Sequence, residues 1–223
     1  MKRILTVLLL TLNLTIIGQF GIIEDKDGYV NIRNSAKNII DTLSSEEIVY
    51  CFDLEGEWFR IDYDLSRQNR SGYVHKSRVR IIENFDPFYS NQLTDTSIVF
   101  SLDSIRIQIT KRAFNAKSNS LQYHEINEAE YLEKINGKEI WGTDGEIPKM
   151  KYGIFSLQLN NEKVILPTDN LFEPNFGFTS AFYDERNNSI YISALNSDGA
   201  GGYSVLWIIE KGVFKQRITT IPF

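Results

Sequence analysis

Short alternations of apolar and polar side chains, separated by turn residues, run along most of this chain. The stretch "GYVNIR", residues 28–33, places Val30 and Ile32 on one face and polar side chains on the other. The runs "EIVYCFD" and "EWFRIDY" are separated by "DLEG", where Gly56 can adopt the positive φ of a tight hairpin. Patterns with a period of two predict β-strands, and no long helical period interrupts them between residues 27 and 82.

The second half of the chain, from residue 97, is again rich in predicted strands. Hairpins are expected across residues 160–161, 187–188 and 210–212, where asparagine or Lys-Gly separates two alternating runs. Seven or more strands in this half favour an antiparallel β-sandwich or an open barrel.

One segment of the second half predicts a short helix instead of a strand. In "NEAEYLEKI", residues 127–135, Asn127 could be the N-cap and Glu130 completes a weak capping box. Gly137 follows at the position where a helix would end. We therefore predict an all-β fold with minor α content.

The N-terminal segment predicts export. Lys2 and Arg3 precede an apolar run from Ile4 to Ile17, which has the length of a signal-peptide core. We predict a signal peptide over residues 1–18 and a mature chain that begins near Gln19, with an uncleaved anchor as the alternative. The predicted location is periplasmic or extracellular, without stable membrane insertion after cleavage.

Four short motifs resemble those of the bacterial SH3 domain, often called SH3b. They are "YVNIRNSA", "NIIDTLSSEEIVYCF", "GEWFRIDY" and "SGYVHKSRV", and they occur in the order of that family. The usual Gly-Pro after the arginine is replaced by Asn34-Ser35-Ala36, and a tyrosine stands where the last motif usually has a tryptophan. The resemblance implies a small barrel and, in some members, ligands from wall peptides or proteins. The matching residues are Asn31, Arg33, Ile39, Leu43, Gly56, Trp58, Gly72, Tyr73 and Val74.

Together these patterns divide the chain into four parts. Residues 1–18 are predicted as the signal peptide, 19–82 as the SH3-like barrel, 83–96 as a linker that contains Pro87, and 97–223 as a β-rich domain. The C-terminal domain is similar to an uncharacterised family of secreted bacterial β-rich domains, a resemblance that implies no residue roles.

The net charge limits the possible partners, and the cysteine content limits the possible disulfides. The formal net charge is −5, and it becomes −7 without Lys2 and Arg3, so nucleic acid is an unfavourable partner. The densest basic patch, "KSRVR" at residues 76–80, is interpreted as a solvated strand end. Cys51 is the single cysteine, so no intrachain disulfide can form.

Two sets of residues are candidates for ligand binding. Tyr29, Trp58, Tyr63 and Tyr73 could form an aromatic groove for an extended peptide or glycan, although Trp58 could equally close the barrel by packing. The second set lies on the glycine-rich loops 141–149 and 196–204. It comprises Trp141, Asp144, Asp198 and Tyr203.

Turn formation alone could explain the Asp-Gly pairs of these loops. A calcium site needs six to eight oxygen ligands, and only Asp144, Glu146 and Asp198 are near, so we predict neither a metal nor a cofactor. The candidate partner is a cell-envelope peptide, glycan or protein.

Candidate catalytic groups are few. Cys51 lies inside an alternating run and is expected to be buried and inert. The two histidines, His75 and His124, lack the spacing of a zinc hydrolase, and no Gly-x-Ser-x-Gly elbow occurs. We therefore predict a non-catalytic binding protein. The alternatives are an inhibitor or immunity-type protein that masks an enzyme, and an envelope hydrolase with a site near His124.

Overall fold

The computed structural model describes residues 18–65, 69–160 and 162–222. The predicted signal peptide lies outside the described residues, except for Gly18. Within the described ranges the chain is all-β, every pair of neighbouring strands is antiparallel, and the helical elements are five 3₁₀ turns of three residues. No helix of this part of the chain is long and apolar enough to cross a membrane.

The N-terminal part forms one seven-stranded sheet, which we call sheet 1. Its strands are β1 (Gln19–Ile23), β2 (Tyr29–Arg33), β3 (Ile39–Ser44), β4 (Ile48–Glu55), β5 (Trp58–Tyr63), β6 (Arg70–His75) and β7 (Val79–Ile81). The strand order is β3-β2-β6-β5-β4-β1-β7. Val30 and Ile32 of β2 are buried as predicted. The predicted closure is not observed, because the edge strands β3 and β7 do not pair and none of the sheets of the described residues closes into a barrel.

The remaining strands form three further antiparallel sheets. Sheet 2 has the order β16-β15-β11-β10-β9, sheet 3 the order β12-β13-β14, and sheet 4 the order β20-β19-β18-β17-β8. The strands are β8 (Asp86–Pro87), β9 (Tyr89–Thr94), β10 (Ser97–Leu102), β11 (Ile105–Ala113), β12 (Leu121–Ile126), β13 (Ala129–Ile135), β14 (Lys138–Glu139), β15 (Met150–Leu159), β16 (Glu162–Ile165), β17 (Thr179–Asp184), β18 (Ser189–Asn196), β19 (Tyr203–Glu210) and β20 (Val213–Thr220).

The three predicted hairpins of this half are confirmed. Leu159 pairs with Glu162, Asp184 with Ser189, and Glu210 with Val213, so each predicted turn joins two neighbouring antiparallel strands.

The predicted helix over residues 127–135 is wrong. Asn127 and Glu128 have φ values of 52° and 67°, the left-handed pair that a tight two-residue hairpin turn requires, so Asn127 turns the chain and does not cap a helix. Asn136 and Gly137 repeat this geometry at 52° and 77°, and the residues between the two turns form β13. Two tight turns only seven residues apart leave room for a strand but not for a helix.

The segment predicted as a linker, residues 83–96, contributes two strands to the C-terminal sheets. Pro87 in β8 pairs with Phe182 of sheet 4, and β9 is the edge strand of sheet 2. Phe88, between them, is 5% exposed and belongs to the core that sheets 2 and 4 share.

Sheet 4 is the middle layer of the molecule. One of its faces shares a core with sheet 2, centred on residues such as Trp207 and Phe155. The other face packs on sheet 1. The cluster between sheets 1 and 4 contains Phe20, Ile22, Tyr50, Phe52 and Ile82 on one side and Phe182, Tyr191, Leu206, Ile208 and Ile218 on the other. The N-terminal and C-terminal parts therefore meet across a continuous apolar core.

Polar groups complete this contact. The hydroxyl of Tyr50 donates to the carbonyl of Gly18 at 2.7 Å and lies 2.8 Å from the Oγ of Ser204. Arg80 forms ion pairs with Glu24 and Asp184, and its side chain is only 25% exposed. The interpretation of residues 76–80 as a solvated strand end therefore does not hold for Arg80, because Arg80 joins the two parts of the molecule.

Candidate binding sites

The register of strands β5 and β6 places two of the groove residues on one surface. Trp58 pairs with His75, and Arg60 pairs with Tyr73. Because partners in an antiparallel pair share a face, Trp58 and Tyr73 lie on the same side of sheet 1. The edge of His75 meets the Trp58 ring at a centroid distance of 5.3 Å.

Tyr29 and Trp58 line one cavity of about 430 Å³. Tyr29 is 50% exposed and Trp58 is half-buried, so both rings present area to solvent. The ammonium group of Lys37 lies 4.6 Å from the Trp58 ring centroid and 4.3 Å from that of Tyr73. It therefore bridges the two rings by cation–π contacts.

Tyr63 does not belong to this surface. It is 2% exposed and packs in the core of sheet 1 with Ile61. Alternation along β5 explains the difference: residues 59, 61 and 63 point inward, whereas Trp58 and Arg60 point outward. Conversely, sequence reasoning missed Lys37, which lies in the loop where the chain departs from the SH3b pattern and carries no periodic signal.

The two glycine-rich loops meet at one end of the C-terminal part. Asp144 and Asp198 are exposed and line the same cavity, with a volume of about 450 Å³, which we call the loop site. The Oγ of Ser197 donates to the carbonyl of Gly142 at 2.9 Å and so ties one loop to the other. Gly201 packs directly against the backbone of Thr143, an approach that a side chain would prevent.

Trp141 and Tyr203, the two aromatic candidates on the glycine-rich loops, mainly pack against other residues and present little surface to a ligand. The rings of Trp141 and Tyr203 lie 6.0 Å apart, with Trp141 half-buried. Tyr203 is fully buried, and its hydroxyl donates to the carbonyl of Phe172 at 2.8 Å. It is therefore not available to a ligand, because β19 is a central strand of the middle layer.

The segment "LFEPNF", residues 171–176, completes the loop site. A carboxylate oxygen of Glu173 accepts hydrogen bonds from the backbone amides of Lys149 and Met150. Lys111 reaches over the Phe176 ring at 5.1 Å and donates to the carbonyl of Pro174 at 3.4 Å. No motif in the sequence marks Lys111 as a member of this site.

The candidate catalytic groups lie apart from one another. Cys51 is fully buried, and burial raises the pKa of its thiol far above the usual range. His75 Nδ1 accepts a hydrogen bond from the backbone amide of Ser77 and lies 2.8 Å from its Oγ, as in a cap. His124 lies on the exposed strand β12. In the described ranges no group of three or more His, Cys, Asp or Glu side chains could hold a metal ion.

Comparison of the chain with protein-family models, with curated proteins and with solved structures found no match.

Proposed function

We propose that this chain is an exported, non-catalytic binding protein that recognises a peptide, glycan or protein of the cell envelope. In this proposal residues 19–82 are an SH3b-like module, and the C-terminal part is an antiparallel sandwich that carries a second recognition surface. The observation on which it rests most is the shared cavity of Tyr29 and Trp58.

Three properties of that cavity favour recognition over simple packing. The two rings come from strands that are distant in sequence, β2 and β5, and neither ring is fully buried. A tryptophan that only closed a core would be covered, whereas a half-buried one can still gain contact area with a ligand. The Lys37 ammonium above Trp58 and Tyr73 adds a hydrogen-bond donor beside a cavity whose lining already includes polar groups such as Asp27 and Arg33.

The loop site supplies the second surface of the proposal. Its cavity of about 450 Å³ lies within the range of small-molecule and peptide-residue pockets, and polar side chains dominate its rim. Asp144 and Asp198 would accept hydrogen bonds from hydroxyl or amino groups of a ligand. The bond between Ser197 and Gly142 holds the two loops together before a ligand arrives.

Retention on isolated cell wall tests the function. The wild-type protein should sediment with purified wall, and Trp58→Ala should weaken retention about tenfold or more if its loss costs the 2 kcal/mol typical of an interface hot spot. Tyr89→Ala is the matched control, because Tyr89 is 67% exposed on a distant edge strand. Equal retention of both variants would refute the groove as the binding surface.

A second candidate function, the masking of a partner enzyme, is favoured by the exposed hairpin β12–β13. Tyr123, Ile126 and Tyr131 are 43%, 50% and 42% exposed on this hairpin. Of these, Ile126 and Tyr131 project from the same face, because Tyr131 pairs with His124, which precedes Ile126 by two residues. Adjacent exposed apolar side chains are a feature of protein-recognition surfaces. Stoichiometric capture of an envelope protein that Tyr131→Ser abolishes, without any wall retention, would favour this candidate over the first.

A further inference from the structure

Besides the loop site, the C-terminal part contains another cavity, and the side chains that line it carry a net positive charge. The side chains that line the loop site carry a net negative charge. The volume of the positive cavity is about 290 Å³, and this cavity lies where the ends of β11 and β15 meet residues 168–172. Its lining includes three cations, Arg112, Lys138 and Lys151, but only one carboxylate, Asp169. The lining of this cavity therefore has the opposite sign to the net charge of the whole chain, which is −5.

Two of these cations face each other directly. Arg112 of β11 and Lys151 of β15 are register partners, and partners in an antiparallel pair project from the same face. Like charges in this arrangement destabilise a sheet. Among the described residues neither side chain forms an ion pair, and the remaining cation, Lys138, has its Nζ 3.6 Å from the carboxylate of Asp169. Among the described residues, no direct ion pair therefore offsets the repulsion between Arg112 and Lys151.

Aromatic side chains lie beside one of these charges. Phe114 and Phe172 form an edge-to-face pair at 5.4 Å in the wall of the cavity, and the Lys151 ammonium lies 5.8 Å from the Phe114 ring centroid. At the rim, the amide of Asn136 donates to the side-chain oxygen of Asn119 at 2.8 Å. The cavity thus combines solvent-accessible cations with an aromatic wall, an arrangement suited to an anionic group on a small organic body.

We propose that this cavity binds an oxyanion, a phosphate or carboxylate group, between the guanidinium of Arg112 and the ammonium of Lys151. The planar guanidinium can donate two parallel hydrogen bonds to such a group, and the ammonium supplies a further charge-assisted donor. Lys138 lines the same cavity, with its charge balanced by Asp169. The site is separate from the groove and from the loop site, so the test of oxyanion binding is independent of the proposed function.

The test is thermal unfolding of the purified protein at constant ionic strength, with sodium chloride replaced stepwise by the probe anion. Inorganic phosphate and N-acetylalanine are the two probes, and they distinguish a phosphate source from a carboxylate source. We expect a saturable rise of the unfolding midpoint with at least one probe, since a ligand that binds only the folded state stabilises it. Isothermal titration calorimetry should give the same apparent affinity.

Two variants separate binding from general screening. Lys151→Gln should bind the effective probe about tenfold more weakly or worse, because hydrogen bonds to charged groups contribute roughly 1.5–3 kcal/mol. Without the probe, the midpoint of Lys151→Gln should exceed that of the wild type, because the repulsion from Arg112 is removed. Arg112→Gln should behave in the same way. Lys163→Gln, the matched control, removes an exposed lysine of β16 and should keep the wild-type response.

The outcomes decide the proposal. A response to phosphate alone or to N-acetylalanine alone supports it and identifies the source of the oxyanion. The absence of a saturable response to either probe overturns it. An unchanged response in both Lys151→Gln and Arg112→Gln overturns it as well, even if the wild type binds an anion elsewhere.

Discussion

The hydroxyl of Tyr50 connects the two halves of the molecule, and its removal is the most direct test of their contact. Tyr50→Phe keeps the ring and hence its edge-to-face contacts with Phe20 at 4.9 Å and Phe52 at 5.3 Å. It removes only the hydroxyl oxygen, which lies within hydrogen-bond distance of the Ser204 Oγ and, in the uncleaved chain, also donates to the carbonyl of Gly18. Apolar packing therefore stays constant while the hydrogen bonds are lost.

The expected magnitude follows from burial. Tyr50 and Ser204 are 0% and 4% exposed, so the group left without its partner has little contact with solvent. A buried polar group without a partner costs about 1–3 kcal/mol. For a chain of this size, each kcal/mol lowers the unfolding midpoint by about 2–4 °C. We therefore expect Tyr50→Phe to lower the free energy of unfolding by about 1–3 kcal/mol.

Urea unfolding, followed by circular dichroism and by tryptophan fluorescence, measures this change. Tyr73→Phe is the control, because its hydroxyl bonds Glu55 at 3.3 Å on the exposed surface, where such losses stay within about 0.5 kcal/mol. Ser204→Ala and the double variant complete a cycle, in which contacting groups show coupling of about 0.5–3 kcal/mol. A cost for Tyr50→Phe no larger than the control, or strict additivity in the cycle, would refute a hydrogen-bonded contact between the halves.

Three further predictions concern buried groups. Gly142→Ala should lower the free energy of unfolding by at least about 2 kcal/mol, because φ is +109° there and a methyl group would overlap the carbonyl of Phe172. Gly28→Ala is the control, since Gly28 has a φ of +81° but open space around it. Its free energy of unfolding should fall less in the same urea assay. Cys51 should react with a thiol reagent only as fast as the protein unfolds, and rapid labelling in native buffer would contradict its burial. Burial raises the pKa of Tyr50 to about 12. Since the unfolded chain ionises near pH 10, this group should lower the free energy of unfolding by about 1.4 kcal/mol per pH unit between about pH 10 and 12, and Tyr50→Phe should flatten that slope.

The parts of the fold that were predictable are those in which local turn chemistry and alternation agree. The hairpins at residues 187–188 and 210–212 combine a left-handed residue with strand-forming runs on both sides, and both form as predicted. The apolar run in "YSVLWII", residues 203–209, matches a strand that is buried on both faces. That burial depends on sheet 1 covering sheet 4, and no local sequence pattern predicts this packing.

The helix prediction failed because two signals competed for the same residues. Asn127 and Glu130 fit a capping box, while Asn136-Gly137 is a strong hairpin signal that we assigned to a helix end. Tertiary pairing decided the outcome, since β13 hydrogen-bonds to β12 on one side and to β14 on the other. Glutamate and leucine are good helix formers in isolation, but their propensity is smaller than the gain from two strand ladders.

The candidate sites show the same division between local and tertiary information. Alternation in β5 could have separated Tyr63 from Trp58, because the two are five residues apart and so point to opposite faces. No such rule places Lys37 over Trp58, or Arg112 opposite Lys151, since each pair depends on how distant strands register. The fold sets which charged residues face each other across strands. Two basic residues can therefore repel each other in the structure, although nothing in the sequence around either residue indicates it.

The contact between sheets 1 and 4 bears on how recognition by two surfaces would work. The ten apolar side chains of this contact are all buried, and the ion pair of Arg80 with Asp184 crosses it at a distance of 2.9 Å. A contact of this kind fixes the orientation of the halves, in contrast to domains joined by a free linker. The groove and the loop site would then be held at a constant separation, so a ligand long enough to reach both would gain affinity without ordering the protein. Weakening the contact should therefore reduce binding of long ligands more than binding of short ones.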